Sequence, residues 1–184
     1  MIQKPPQKAV IDGVEYKIRN DGDWYDVYRV ICALNDTELS EQDRWYAALC
    51  IFYPDIDNMP DMDAAAKYLS WFVDRGEIEN EDIPASTKNK DGVSISFFQD
   101  MDLLIDSLNA AKDRDIRLSY EHWWTFVGDV LSHEPTGLYK QVLECRYKVE
   151  HGLKLDEYDR KFLMDNRNRV VLKNKSDEWL DGDD

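Results

Sequence analysis

Three histidines, a run of carboxylates and three cysteines are the groups that could do chemistry in this 184-residue chain. His122, Asp129 and His133 fall near one face of an apolar stretch, as a metal site built on a helix would require. Geometry speaks against it: eleven residues at the helical rise hold the two imidazoles roughly 16 Å apart, too far for one ion. Asp129 and His133, four apart, could share an ion. Zinc, however, asks for three or four protein ligands, and no neighbouring Cys or His completes the set. Asp55, Asp57, Asp61 and Asp63 form a cluster of a kind that can bind Mg²⁺ or Ca²⁺. Pro54 and Pro60 punctuate it, Asp61 reads as a helix cap, and the EF-hand spacing is missing. It reads as a solvated loop, and it is the footing for one alternative, a small metal-dependent enzyme using Asp55–Asp63. Cys32, Cys50 and Cys145 are odd in number, form no C-x-x-C pair and lie in apolar helical patterns. They read as buried free thiols of a reducing compartment. There is no G-x-S-x-G, P-loop or G-x-G-x-x-G. These residues predict no catalytic group, no metal and no cofactor, hence a protein that is not an enzyme.

The elements around these groups are helical. Leu118–Val149 sets the pattern: Trp123, Val127 and Val130 recur at helical spacing, as do Trp124, Val127 and Leu131. Pro135 and Gly137 interrupt, and Leu138, Val142, Cys145 and Val149 share one face of a second helix. With Ser119 as N-cap, the pair predicts a helical hairpin that the other segments pack around. Upstream, Ile11-Asp12-Gly13-Val14 is a strong short hairpin signal. Helices are expected from Asp23 to Leu34, from a Ser40 cap to Pro54, and from an Asp61 cap to about Arg75. A fourth should start at Ser94 or Ser96 and carry Phe97, Met101, Leu104 and Leu108. A last one should run from Asp156 to about Val171. The fold class that follows is mainly α: a single-domain bundle of six or seven helices with a small N-terminal β-hairpin. Residues 1–7 form a flexible arm, 8–172 the helical domain with a mobile loop at 77–92, and 173–184 an acidic tail.

Charge narrows the partners. The formal net charge is −15, which disfavours nucleic acid, since neutralising phosphates needs clustered Lys and Arg, and favours solubility and basic partners. It is uneven: Asn20–Arg75 carries twelve acids and four bases, Lys154–Lys175 seven bases and four acids. No run of about 18 apolar residues is present to span a membrane. Trp123, Trp124 and Phe126 point to different sides of one helix, at 100° per residue. Either that helix is central or one aromatic faces a partner. Trp123 and Phe126, which cannot share the Trp124 side, are therefore candidate partner-binding residues, with Trp45 and Tyr46 on the second helix.

The run His122-Trp123-Trp124-x-Phe126, then Leu131 and Arg146-Tyr147, resembles the signature of a phage family named after gene product fifteen. Its members are encoded in the tail-gene clusters of long-tailed phages and prophages of Gram-positive bacteria. Ile11–Ile18 resembles the family's opening hairpin, and Phe97-Phe98-Gln99-Asp100 the start of its long middle helix. Asp115-Ile116-Arg117-Leu118 resembles the lead-in to the Trp-Trp helix, with Arg117 where an acid is usual. The likeness covers roughly Val10–Leu172, with Glu77–Asp91 unmatched. It implies a tail assembly chaperone in the host bacterial cytoplasm, binding the tape-measure protein, with the tail-tube protein as a second candidate partner. A structural tail or connector protein of the virion is the alternative.

Overall fold

The computed structural model describes residues 4–58, 61–76, 86–88 and 92–172. In chain order the elements are β1 (Lys8–Ile11), β2 (Val14–Lys17), α1 (Trp24–Leu34), α2 (Glu41–Phe52), α3 (Met62–Val73), β3 (Ser86–Lys88), β4 (Ser94–Ser96), α4 (Met101–Lys112), α5 (Trp123–Ser132), α6 (Gly137–Glu150), α7 (Glu157–Asp165) and α8 (Arg167–Val170). Short 3₁₀ turns lie between some of them. The protein is mainly helical with a two-stranded N-terminal hairpin, as its sequence pattern requires. Among the described residues, no helix is long and apolar enough to cross a membrane.

The local chemistry explains most boundaries. Asp12 and Gly13 both take positive φ (50° and 81°), the geometry of the tight turn between β1 and β2. Asp23 caps α1 by accepting from the Tyr25 N–H at 3.0 Å. Ser40 caps α2 through the Asp43 N–H, and Asp61 caps α3 through the Asp63 and Ala64 N–H groups. Asp156 and Asp159 form a reciprocal capping box on α7.

Other boundaries depart from expectation. Ser94 and Ser96 do not cap a helix; they lie in β4, which pairs antiparallel with β3. Phe97 falls in the turn that follows, and α4 starts at Met101. Ser119 follows a 3₁₀ turn, and α5 begins only at Trp123. The final helix is two, α7 and α8, with Asn166 out of helical conformation between them. The mobile loop and acidic tail read from the sequence lie outside the described residues, except Ser86–Lys88 and Gly92.

The chain gathers into two compact units. The first comprises Met1–Pro84 with Asp115–Asp129, the second Ala85–Arg114 with Val130–Asp184. In the first, α1 packs on α2, α2 on α3, and β1 on α3. In the second, α6 packs on α4, α7 and α8. The α5–α6 pair is therefore divided between the two units. Trp123–Val127 of α5 serve the first unit, and Val142, Cys145 and Val170 centre an apolar cluster of the second.

Candidate functional site

Side by side, α2 and α3 leave a groove of about 830 Å³ on the first unit. From α2 it is lined by Glu41, Trp45 and Leu49, from α3 by Met62, Ala66 and Ser70, all at four-residue spacing, so one row of each helix forms a wall. Eight residues of helical rise make each wall roughly 12 Å long. The floor is apolar, with Leu49 buried and Trp45 half-buried, while Tyr46 is 55% exposed at the edge. The rim is acidic: Glu41, Asp43 and Asp63 line the groove against Lys67. The Cys50 thiol, and more weakly Asp57, push the Tyr46 hydroxyl pKa upward. Two of the four expected partner-binding residues, Trp45 and Tyr46, thus share one concave surface.

The other two do not reach a surface. Trp123 and Phe126 are buried, 1% and 0% exposed. Trp24 stacks on Phe126 at 5.0 Å and Trp123 on Phe126 at 5.5 Å. Their assignment to partner binding is corrected. On α5 the solvent strip is the narrow row of Thr125 and Ser132 with half-buried Gly128 and Asp129, and Trp123, Trp124, Phe126 and Val127 all lie in the wide buried arc beside it. The Trp-Trp run has a different task. The Trp123 indole N–H donates to the Val73 carbonyl and the Trp124 indole N–H to the Phe72 carbonyl, both at 2.8 Å. These are the last two residues of α3; the Phe72 carbonyl also accepts from the Arg75 N–H at 3.1 Å in the turn that ends the helix.

His122 completes this device and is the residue that caps α5. Its Nδ1 accepts from the Trp124 N–H at 3.1 Å, so the ring proton sits on Nε2, which donates to the Pro6 carbonyl at 3.0 Å. Burial lowers its pKa, opposed by the Pro6 contact and by the charges of Asp21 and Asp23. The ring fits because Gly22 lies against it: a Cβ there would meet the Phe72 ring at 2.6 Å and His122 Nε2 at 3.0 Å, at a φ of +83°. The sequence motif His-Trp-Trp is thereby a set of hydrogen-bonding caps.

The second unit holds two polar clusters that sequence reasoning did not find. Ser107 Oγ lies 3.1 Å from His133 Nε2, a spacing found in nucleophilic dyads. Ser107 is buried, and its Oγ also accepts from the Thr136 N–H at 2.9 Å at the start of α6. His133 Nδ1 faces the Val130 carbonyl at 3.1 Å rather than a carboxylate. The trio joins α4 to the entry of α6. The second cluster is a fully buried ion pair, in which Arg146 donates to both Asp100 oxygens at 2.7 and 2.8 Å. The same guanidinium donates to the carbonyls of Ser94, Arg169 and Val170. An arginine among Val142, Leu143 and Cys145 on an apolar face was the available signal.

The carboxylates Asp55–Asp63 do not converge. Asp61 is taken up by capping α3, and Asp55 and Asp57 are exposed. Among the described residues, no group of three or more His, Cys, Asp or Glu could hold a metal ion. Comparison of the chain with known protein families, curated proteins and solved structures returns no match.

Proposed function

We propose that the chain is a phage tail assembly chaperone, a non-enzymatic protein that holds the tape-measure protein during tail morphogenesis. The reading rests on the sequence resemblance of the His122–Phe126 run and its companions. The observation that carries it is the α2–α3 groove, an apolar trough with Trp45 in its wall, Tyr46 at its edge and carboxylates around its rim. A chaperone for a long client needs such a surface, because it must cover apolar side chains while its charge keeps the complex in solution. Tryptophan and tyrosine are the residue types that most often anchor such contacts.

Co-expression with the tape-measure protein of the same gene cluster tests this. The pair is expected to co-purify, Trp45→Ala is expected to weaken the complex by about 1–2 kcal/mol, the hot-spot scale, and the protein should be missing from purified particles. A client that stays insoluble, with no complex at micromolar concentration, overturns the reading. Presence in the virion without client binding would instead mark a structural tail component.

A further inference from the structure

We infer that the α2–α3 groove takes a short amphipathic helix flanked by lysines or arginines. This rests on the reading of the groove as the partner-binding site and adds the chemistry of what fills it. Three observations define the occupant. The walls are about 12 Å long, so they match about two turns of helix, long enough for anchors at i, i+3 or i+4, and i+7 but not for a whole domain. The volume of about 830 Å³ is that of a cavity for several large side chains. Leu49, Met62, Ala66 and the Trp45 ring offer those anchors apolar contact, beside the polar side chains of Gln42 and Ser70.

Charge selects the flanks. Glu41 and Asp43 stand on one wall, in the first turn of α2, and Asp63 and Lys67 on the other, so three carboxylates face one ammonium. A helix seated with its apolar stripe down places its flanking residues at both rims, where cations meet carboxylates and anions meet like charge. An acidic helix is rejected at the rim even if its stripe fits, which makes the rim a specificity device and the floor the source of affinity.

The test uses the full chain and two labelled synthetic peptides with identical leucine spacing. One carries lysines beside the stripe and the other glutamates, and binding is read by fluorescence anisotropy. The lysine peptide is expected to bind at least about tenfold more tightly, a factor of the size single hot spots supply. Trp45→Ala leaves the net charge unchanged and is expected to weaken it about tenfold. Glu41→Gln with Asp63→Asn should remove most of the preference. Glu144→Gln with Glu157→Gln, an equal charge change in the second unit, should leave it. Equal binding of the two peptides overturns the inference. So does lysine-peptide binding that ignores Trp45→Ala, since it would then be a general attraction to an acidic protein. Sedimentation runs alongside, and a dimer dissolved by Trp45→Ala would assign the groove to a second copy and overturn it too. If the tape-measure protein co-purifies through Trp45 while the peptides bind alike, the occupant's chemistry fails and the chaperone reading stands.

Discussion

Two helix C-termini, that of α3 in the first unit and that of α8 in the second, are closed with opposite chemistry. In the first, two indole N–H groups close the end of α3, and Arg19 reaches the Cys50 and Ile51 carbonyls near the end of α2. In the second, the buried guanidinium of Arg146 closes the end of α8 through Arg169 and Val170. An indole is neutral, so it can be buried among Trp24, Phe72 and Phe126 without a counter-charge, and its ring adds to the core. A guanidinium supplies five donors from one residue, but burying it requires an anion, and Asp100 is that anion. The neutral solution is expected to tolerate partial loss and the charged one to fail as a whole.

The largest effect should come from breaking the charged device. Arg146→Ala leaves Asp100 buried without its cation and three carbonyls without a donor, and is expected to cost at least about 5 kcal/mol or to prevent folding. Arg146→Lys should rescue little, since three donors on one nitrogen cannot serve Asp100 and three spread carbonyls. Urea unfolding followed by circular dichroism measures both. Full rescue by lysine would show that charge alone matters and would erase the distinction drawn here.

The neutral device should break in steps. Trp123→Ala removes a large buried ring and is expected to cost about 3–5 kcal/mol. Trp123→Phe keeps most of the ring and orphans the Val73 carbonyl, for a loss of about 1–3 kcal/mol. If the phenylalanine variant loses as much as the alanine one, the hydrogen bond rather than the ring dominates, and the two units are more alike than their chemistry suggests.

This contrast marks how far the sequence could be read. Asp12-Gly13, the caps Ser40 and Asp61 and the helix starts at Asp23 and Asp156 were legible, because a turn or cap is a contract between residues a few positions apart. The indole caps were not, since Trp123 meets a carbonyl 50 positions away, and Asp100 meets Arg146 across 46. The Ser94-Ile95-Ser96 strand was hidden by its length, and its polar ends resemble caps although all three residues are buried. Half of the expected binding set is buried for a similar reason. Trp45 is half-buried and Tyr46 exposed on α2, whereas Trp123 and Phe126 lie in the wide buried arc of α5, whose solvent strip is Thr125 and Ser132, and periodicity alone does not give the width of that arc.

The smallest effect expected is a dependence on pH confined to the first unit's device. His122 is held neutral, with Nδ1 accepting from the Trp124 N–H, and a second proton would remove that acceptor. Its pKa in the fold lies below the ordinary value of 6.5, mainly because the ring is buried. Between the folded value and 6.5 the unfolded chain therefore binds more protons than the folded one, so stability rises with pH across that window. The contribution is complete above about 6.5 and is lost as pH falls through the folded value. His122→Asn keeps a side-chain acceptor suited to an N-cap and carries no titrating group. Urea midpoints of the native chain and of this variant, measured from pH 7.5 to 5.5, should diverge as pH falls, the native chain losing more. Parallel profiles would mean that the fold leaves the His122 pKa unshifted, and a native chain that gained stability as pH fell would mean that this device rests on a charged cap.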